Sequence, residues 1–342
     1  MSTPTVTIGS ADTSVTITWV EPGDHAAPID YYEILLLKSD GSFTTETTNC
    51  DGSDAAIILA LSCEIPMPTI ISSTSWPVDT LIKVKARAHN GNGWGEYSEL
   101  NTAGATIETV PTQMAAPVFV LAGSDSTQTT MSWSALTGTA AGGLHLAVTS
   151  YVLEWDAGAG NGAWSTHITT TSLTATSAGL PGGGTYSYRI AAQNKYGLGV
   201  VSDALSVLIA EAPAVPAAPT TTQETNYVRI AWTAPVDNHA TIDQYQILIA
   251  DSDGLFVEDT AVCDGAEQTV VDGLHCLVPM TALWAEPFTL AQSTTVQAKI
   301  LAHNERGWSG TSDANTAGAA VETVPHAMDS PTRGVTTSDA QI

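Results

Sequence analysis

Basic residues are scarce in this chain of 342 residues, which contains ten Lys and Arg against 35 Asp and Glu. The formal net charge is therefore −25 at pH 7. A surface of this sign repels nucleic-acid phosphates and anionic lipid headgroups, so we expect no nucleic-acid partner and no docking on an acidic membrane. Hydrophobic residues reach 43%, which favours folded domains over a disordered acidic tail.

Long apolar runs and catalytic motifs are also missing from the sequence. No stretch approaches the roughly 18 apolar residues that a membrane-spanning helix needs, so we expect no direct membrane insertion. A secretory leader is not visible at the N-terminus. The sequence contains no Gly-x-Ser-x-Gly, no His-Glu-x-x-His and no glycine-rich phosphate loop. These absences predict a protein that is not an enzyme and that uses no cofactor.

The chain does contain an internal repeat, which we looked for first because a repeat determines the whole architecture. Each repeat has a strand that ends in Trp, a Tyr that opens an apolar strand, and a late Ala-x-Asn-x-x-Gly motif. We predict four units: A1 (residues 1–114), B (115–214), A2 (215–328) and the first strands of a truncated fourth unit (329–342). Only A1 and A2 contain cysteine, which gives the order A-B-A.

Proline-rich junctions separate the repeats. Pro213, Pro216 and Pro219 fall at every third position of the second junction, a spacing that favours a stiff polyproline II spacer. Met1 is in phase with Met114 of the first junction. We therefore expect the 342 residues to be a segment of a longer A-B-A-B array.

Each repeat has the pattern of an antiparallel β-sandwich, because short alternating strands are separated by Gly and Pro turns. No segment has a convincing helical period with caps, so no helix is predicted. The Trp of the second strand, the Tyr of the third strand and the late motif of repeat B resemble a fibronectin type III domain. That motif has Tyr186, Asn194 and Gly199 in the family's spacing. The resemblance covers nearly the whole chain.

This resemblance implies an all-β fold of tandem fibronectin type III-like (immunoglobulin-like) sandwiches joined by short Pro-rich linkers. It also implies that the strand tryptophans are core residues and that the Tyr186 hydroxyl forms a corner with the preceding turn. The implied core tryptophans are Trp19, Trp133 and Trp232. The A repeats have Ile82 and Val296 where repeat B has Tyr186. Their Cys-Asp-Gly segments resemble modules of large repetitive surface proteins of protists, ciliates in particular.

The four cysteines form two equivalent pairs, Cys50 with Cys63 and Cys263 with Cys276. Because the same spacing occurs twice, we predict one local disulfide in each A repeat. Each would stabilise its repeat by roughly 3 kcal/mol in the chain-entropy model. Disulfides predict an extracellular or cell-surface location. A zinc site is the alternative, although no Cys-x-x-Cys spacing supports it.

One strand of A1 holds three of the ten basic residues, Lys83, Lys85 and Arg87, and Trp94 follows in the next turn. Alternation along a strand places the three on one face, where cations stack on the indole ring. Pairing with acidic residues of a neighbouring strand is the other interpretation, and the favoured one. We expect the tryptophans near the turns to pack against their own sandwich, with a carbohydrate platform as the alternative. Calcium binding by the acidic residues has no EF-hand-like spacing to support it, so no metal site is predicted.

The sequence therefore predicts an extracellular structural repeat protein, part of a surface, fibre or adhesion array that can assemble into filaments. Its predicted partners are neighbouring copies or units of the same array, with surface glycans or O-glycans on the Thr-rich runs as a further option. The alternative is a spacer or accessory array of a secreted enzyme, receptor or glycan-binding adhesin whose active domain lies outside the segment.

Overall fold

The computed structural model describes residues 1–10 and 12–322, so the predicted fourth unit (329–342) lies outside the described residues. The chain divides into two compact bodies. The first body comprises Met1–Ser124, Gln128–Gly179 and Gly184–Val207 and contains sandwich A1 and most of sandwich B. The described part of the second body comprises Asp125–Thr127, Leu180–Gly183 and residues 208–322 and contains sandwich A2. In the described part, no helix has the length and apolar character needed to cross a bilayer.

Sandwich A1 consists of a three-stranded and a four-stranded antiparallel sheet. The first sheet has the order β1 (Thr5–Ile8), β2 (Ser14–Thr18), β5 (Ser62–Pro66). The second has the order β4 (Phe43–Thr44), β3 (Ile29–Leu37), β6 (Val84–Asn90), β7 (Gly93–Trp94). Two short helices flank β5, namely α1 (Ala55–Ala60) and α2 (Met67–Thr74).

Sandwich B has the same two-sheet arrangement without the α-helices. Its three-stranded sheet has the order β8 (Val118–Asp125), β9 (Gln128–Ser132), β12 (Thr174–Ala178). Its other sheet has the order β11 (Ser165–Thr170), β10 (Ser150–Trp155), β13 (Thr185–Asn194), β14 (Gly197–Leu198), and β15 (Leu205–Leu208) also pairs with β13. A 3₁₀ turn at Gly138–Ala141 lies between β9 and β10.

Sandwich A2 repeats the architecture of A1 element by element. Its three-stranded sheet has the order β16 (Thr220–Glu224), β17 (Tyr227–Ala231), β20 (His275–Pro279). Its four-stranded sheet has the order β19 (Phe256–Val257), β18 (Gln244–Ala250), β21 (Ala298–Asn304), β22 (Gly307–Trp308). Helices α3 (Gln268–Gly273) and α4 (Met280–Trp284) flank β20 as α1 and α2 flank β5.

The sequence alternation explains why the strands form two facing sheets. Along β3 the buried positions are Tyr32, Ile34 and Leu36, and the residues between them are partly exposed. A strand turns successive side chains to opposite faces, so these three residues point into the core. They pack against inward residues of β2 such as Val15 and Ile17, which are fully buried. The predicted all-β tandem sandwich fold is confirmed.

The expectation of a chain without helices was wrong. Helix α2 packs Met67 and Ile70 into the core, both fully buried, and α4 does the same with Met280 and Leu283. Both helices follow a proline that ends the preceding strand, Pro66 and Pro279. Burial of one apolar face stabilises these short segments, which would be marginal helices in isolation.

Serine side chains supply hydrogen-bond partners to the backbone of β6, β13 and β21 where the short partner strands end. The Ser98 N–H donates to the Ala86 carbonyl (2.8 Å), and the Ala86 N–H donates to the Ser98 hydroxyl (3.0 Å). The Ile190 and Ile300 N–H groups donate to the equivalent serine hydroxyls, both at 2.9 Å. Buried backbone groups of the central strand therefore keep a partner where the ladder ends. This role accounts for a Ser at the same position in every repeat.

Candidate functional site

The predicted cysteine pairs are both disulfides in the structure. The Cα atoms of Cys50 and Cys63 are 5.2 Å apart, and those of Cys263 and Cys276 are 5.9 Å apart. Each bond connects the loop before a short helix to the second residue of β5 or β20, and all four residues are buried. The described residues contain no free cysteine, so these thiols are not available as zinc ligands.

The glycine that follows the first cysteine packs against the neighbouring sheet. The Tyr32 N–H donates to the Gly52 carbonyl at 3.0 Å, and the Tyr245 N–H donates to the Gly265 carbonyl at the same distance. A Cβ atom on Gly52 would lie 1.6 Å from the Tyr32 carbonyl oxygen. The Cys-Asp-Gly motif therefore holds the disulfide loop against β3, a role that the sequence alone did not reveal.

The three strand tryptophans lie in the cores of their sandwiches. Trp19, Trp133 and Trp232 are 2%, 7% and 8% exposed. Each ring tilts against a Tyr of the next strand along the chain, with centroids 5.3, 5.9 and 5.1 Å apart. Tilted aromatic pairs at this separation add specific stabilisation to the burial of apolar area. These residues are structural and offer no binding surface.

Tyr186 is buried in sandwich B but does not form the predicted corner. Its ring stacks on Trp155 with centroids 5.9 Å apart. Among the described residues no hydrogen bond connects the Tyr186 hydroxyl to the preceding turn. The Gly158 loop lies directly against the ring, where an added Cβ would be 3.0 Å from it. The side chain therefore contributes through ring packing rather than through its hydroxyl.

Two basic residues of A1, Lys85 and Arg87, form a cation–aromatic strip on the four-stranded sheet. The Arg87 guanidinium lies 4.4 Å from the Trp94 ring and 4.4 Å from the Tyr97 ring. It also donates to the Glu33 carboxylate at 2.5 Å. Cation stacking and cross-strand ion pairing, the two interpretations of the sequence, therefore both apply to Arg87. Its guanidinium stacks on aromatic rings and also pairs with an acid on the neighbouring strand.

The other two basic residues predicted on this face, Lys85 and Lys83, behave differently from Arg87. The Lys85 ammonium lies over Phe43 (3.9 Å) and Tyr97 (4.3 Å) rather than over Trp94. Lys83 precedes β6 and is exposed. In A2 the equivalent Lys299 lies 4.3 Å from Phe256. The strip is therefore a set of surface contacts within each sandwich.

The linker segment at the C-terminal end of A1, residues 109–112, is hydrogen-bonded to sandwich B. The Thr109 N–H donates to the Gly142 carbonyl and the Thr112 N–H to the Ala140 carbonyl, both at 2.9 Å. Asn194, at the end of β13, donates through Nδ2 to the Thr109 carbonyl at 2.7 Å and to a carbonyl of its own sandwich at 2.8 Å. Asn194 is only 3% exposed. A buried side-chain amide thus fixes the linker to the sandwich that follows it.

A cluster of charged and polar side chains lies beside this linker. The Glu108 carboxylate accepts from the Lys195 ammonium (2.9 Å) and from the Tyr196 hydroxyl (2.9 Å), and Lys195 also reaches Asp12 at 3.1 Å. Burial and then the Glu108 carboxylate raise the pKa of Tyr196. Burial alone would lower the pKa of Lys195, but Glu108 and Asp12 raise it overall. Tyr196 also packs against the core of A1.

A second linker segment is bound in the same way within the second body. The Glu211 N–H donates to the Asn238 carbonyl at 3.1 Å, and the Ala214 N–H donates to the Val236 carbonyl at 2.9 Å. Asn304 donates to the Glu211 carbonyl at 2.8 Å and is fully buried. The sequence shows this Asn in every repeat, but an Asn before a turn is common, so its role in the linker was missed.

The structure also locates the residues considered for glycan and metal binding. Trp94 and Trp308 are 44% and 41% exposed, whereas Trp76 is partly buried and donates its indole N–H to the Leu37 carbonyl. Within residues 1–10 and 12–322, no group of three or more His, Cys, Asp or Glu side chains is arranged to hold a metal ion.

Comparisons with known proteins give structural neighbours only. No family model matches the sequence, and no curated protein matches it. The FN1–FN3 domains of chicken CNTN1 align with a TM-score of 0.34 and 16% identity, covering 92% of this chain and 97% of that one. The sixth fibronectin type III domain of human fibronectin type III domain containing protein 3 aligns with a TM-score of 0.25 and 22% identity, covering 32% of this chain and 91% of that one.

The strand order is what defines the class of fold. Each sandwich pairs a three-stranded sheet with a sheet of four or five strands in the same order along the chain. Two packed antiparallel sheets of this kind form an immunoglobulin-like β-sandwich, so the described residues form a tandem array of such sandwiches.

Proposed function

We propose that this chain is a non-enzymatic, extracellular structural segment of a surface, fibre or adhesion array. The observation that supports this proposal best is the docked linker. Two backbone hydrogen bonds and one buried Asn hold the linker segment at the C-terminal end of A1 on sandwich B. A linker fixed in this way keeps consecutive sandwiches in a defined arrangement, which a load-bearing or filament-forming array requires.

Two further properties favour an extracellular role. Each A sandwich contains a buried disulfide, and disulfides persist in oxidising compartments. The net charge of −25 gives repulsion between arrays that keeps them soluble and discourages pairing of exposed sheet edges. Neighbouring units of the same array are the proposed partners.

Electron microscopy of the native material that contains this chain tests the proposal. We expect regular filaments or segmented rods whose axial repeat fits one or a few sandwiches. Isolated flexible strings that end in a distinct globule would contradict the structural role. That result would instead indicate an accessory array of a secreted enzyme, receptor or glycan-binding adhesin.

A further inference from the structure

The edge strand of the three-stranded sheet is protected in A1 and A2. Strands β5, β12 and β20 lie at the same edge of this sheet in A1, B and A2. In A1 the strand contains Glu64, ends in Pro66 and has a helix on each side along the chain. In A2 it ends in Pro279 and again has a helix on each side. Charges, prolines and covering elements keep natural sheet edges from pairing with other chains.

Strand β12 of sandwich B has none of these protections. Its sequence is Thr-Ala-Thr-Ser-Ala, and irregular segments rather than helices precede and follow it. Ala178 occupies the position of Pro66, because β12 pairs with β9 in the same register as β5 with β2. By the same register Thr176 occupies the position of Glu64. This edge is therefore open in B where it is protected in A1 and A2.

The outward backbone groups of β12 form a hydrogen-bonding edge. The Trp133 N–H donates to the Leu173 carbonyl at 3.0 Å, which fixes how the backbone groups alternate along the strand that follows. Every second residue of β12 then points its N–H and carbonyl away from β9, and these residues are Thr174, Thr176 and Ala178. The Thr174 N–H donates to the Ser172 hydroxyl at 3.2 Å. The remaining outward groups have no hydrogen-bond partner within residues 1–10 and 12–322.

The charge pattern favours a second copy of the chain as the partner of this edge. No Asp, Glu, Lys or Arg occurs between residues 157 and 188, the part of B that contains β12. Sandwich B as a whole (115–214) has five of the 35 acidic residues. Two chains of net charge −25 repel each other through their A sandwiches, so the repulsion that discourages edge pairing elsewhere is weakest at β12. The strand is also complementary to itself, because two identical strands pair antiparallel about a two-fold axis.

We propose that β12 of sandwich B pairs antiparallel with β12 of a second copy of this chain, about a two-fold axis at Thr176. Each Thr176 N–H donates to the Thr176 carbonyl of the other copy, and each Ala178 N–H donates to the opposite Thr174 carbonyl. The two three-stranded sheets then form one continuous sheet. The inference deepens the proposed function, on which it rests, by assigning the contact through which arrays associate side by side.

Sedimentation of the full chain is the first test. It is done in about 0.3 M salt, which screens the repulsion between acidic chains. We expect the weight-average mass to rise with concentration from the 35.5 kDa of one chain towards that of two. One-chain mass at every concentration would overturn the second copy as the partner.

A variant with the edge residues of A1 tests the strand itself. Thr176→Glu together with Ala178→Pro gives β12 the charge and the proline that the same fold accepts in β5, and should weaken association at least tenfold. Thr174→Ser is the matched control, because A1 has Ser62 at this position and no charge or donor changes. It should associate like the natural chain. Equal association of the double variant and the natural chain would overturn the proposal.

A pair of charged variants tests the two-fold register. Thr176 lies opposite its own copy, so Thr176→Lys alone and Thr176→Glu alone each place like charges face to face and should remain at one-chain mass. An equimolar mixture of the two places Lys opposite Glu and should restore association, which a misfolded variant could not do. A mixture that stays at one-chain mass would contradict the pairing about Thr176.

Hydrogen exchange locates the contact in the natural chain. The Thr176 and Ala178 amides are bonded only in the pair, so their exchange should slow at least tenfold as association proceeds. The Leu277 amide, which occupies the position of Thr176 in A2, is the internal control and should exchange at a constant rate. Protection at other edges instead of β12 would contradict the site. Regular filaments in electron microscopy without this protection would refute the edge contact alone, whereas flexible strings would refute the proposed function.

Discussion

A single glycine fixes the disulfide loop of A1 to its sheet, and its replacement tests that contact. A Cβ on Gly52 would lie 1.6 Å from the Tyr32 carbonyl oxygen, a backbone atom that cannot rotate away. We therefore predict that Gly52→Ala destabilises A1 by about 3 kcal/mol, at the upper end of overpacking costs. Urea unfolding followed by the fluorescence of the core tryptophans measures this change.

Gly91→Ala is the matched control in the same sandwich. A Cβ on Gly91 meets no atom within 4 Å, so the free energy of unfolding should change by less than about 0.5 kcal/mol. An equally small effect of Gly52→Ala would show that the Cys-Asp-Gly loop is free to move from β3.

A buried carboxylate in B gives a pH-dependent contribution to stability. Asp156 is 5% exposed and accepts from the Gly158 and Ser187 N–H groups, both at 2.9 Å. Burial would raise the pKa of Asp156, but these backbone donors lower it overall from its ordinary 3.8. A carboxyl whose pKa is lowered by folding stabilises the folded state above its unfolded pKa. That stability is lost as the pH falls below 3.8 through the folded pKa.

We predict that Asp156→Ala destabilises B by roughly 1.5–3 kcal/mol at pH 7, and that the difference from the natural chain shrinks below pH 3.8. Thermal melts between pH 7 and pH 2.5 measure both effects. Asp203→Ala, at an exposed position, is the control and should give parallel curves. An equal loss of stability at all pH values would mean that the Asp156 side chain stabilises B through packing and not through its charge.

At the scale of the element, the disulfides divide the sandwiches into two classes. Each closes a short loop that contains a helix of A1 or A2, and B has none. In the chain-entropy model one such bond contributes about 3 kcal/mol, which corresponds to roughly 10–20 °C in the melting temperature of a domain of this size. We predict that reduction lowers the A transitions by this amount and leaves the B transition unchanged.

Calorimetry with and without a reductant tests the disulfide prediction. The variant with Cys50→Ser and Cys63→Ser should lose only the A1 contribution, because A2 keeps its own bond. Identical melting of the oxidised and reduced chains would show that the bonds add no stability.

The helices show where the sequence pattern failed. Strands could be predicted because alternation directly reflects burial on one face of a sheet. Helix α2 has the sequence Met-Pro-Thr-Ile-Ile-Ser-Ser-Thr, in which Thr, Ile and Ser favour other conformations. Its Pro lies in the first turn, where the missing N–H costs nothing. Burial of Met67 and Ile70 in the tertiary structure overrides these propensities, and no local signal reports that burial.

For the whole molecule, the order of the repeats could be predicted from the sequence, but the contacts between each linker and the next sandwich could not. The tryptophans and cysteines stand at positions that identify the sandwiches and their disulfides. The asparagines that end β6, β13 and β21 recur just as regularly, yet their partners are backbone carbonyls up to 93 residues away along the chain. Every residue has a backbone carbonyl, whatever its side chain. The sequence therefore contains no pattern that shows which carbonyl accepts from an asparagine.

The linker amides provide a direct measurement of the joint between A1 and B. The Thr109 and Thr112 amides donate to carbonyls of B, so they exchange with solvent only when the linker leaves its site. Asn194→Ala removes the bond to the Thr109 carbonyl, which is worth about 1.4 kcal/mol or more for a buried partner. We therefore predict that hydrogen exchange of both amides accelerates at least tenfold.

The matched control for the joint is Asn304→Ala. It removes the equivalent bond to the Glu211 carbonyl and should accelerate exchange of the Glu211 and Ala214 amides while leaving Thr109 and Thr112 unchanged. In Asn194→Ala the amides of β10 and β13 should keep their protection, because the sandwich itself stays folded. If the core amides of B exchanged faster together with the linker amides, Asn194 would be a folding determinant of B rather than a clamp on the linker. Selective acceleration at the linker would establish that each sandwich holds the segment that precedes it, which is the property that the proposed array requires.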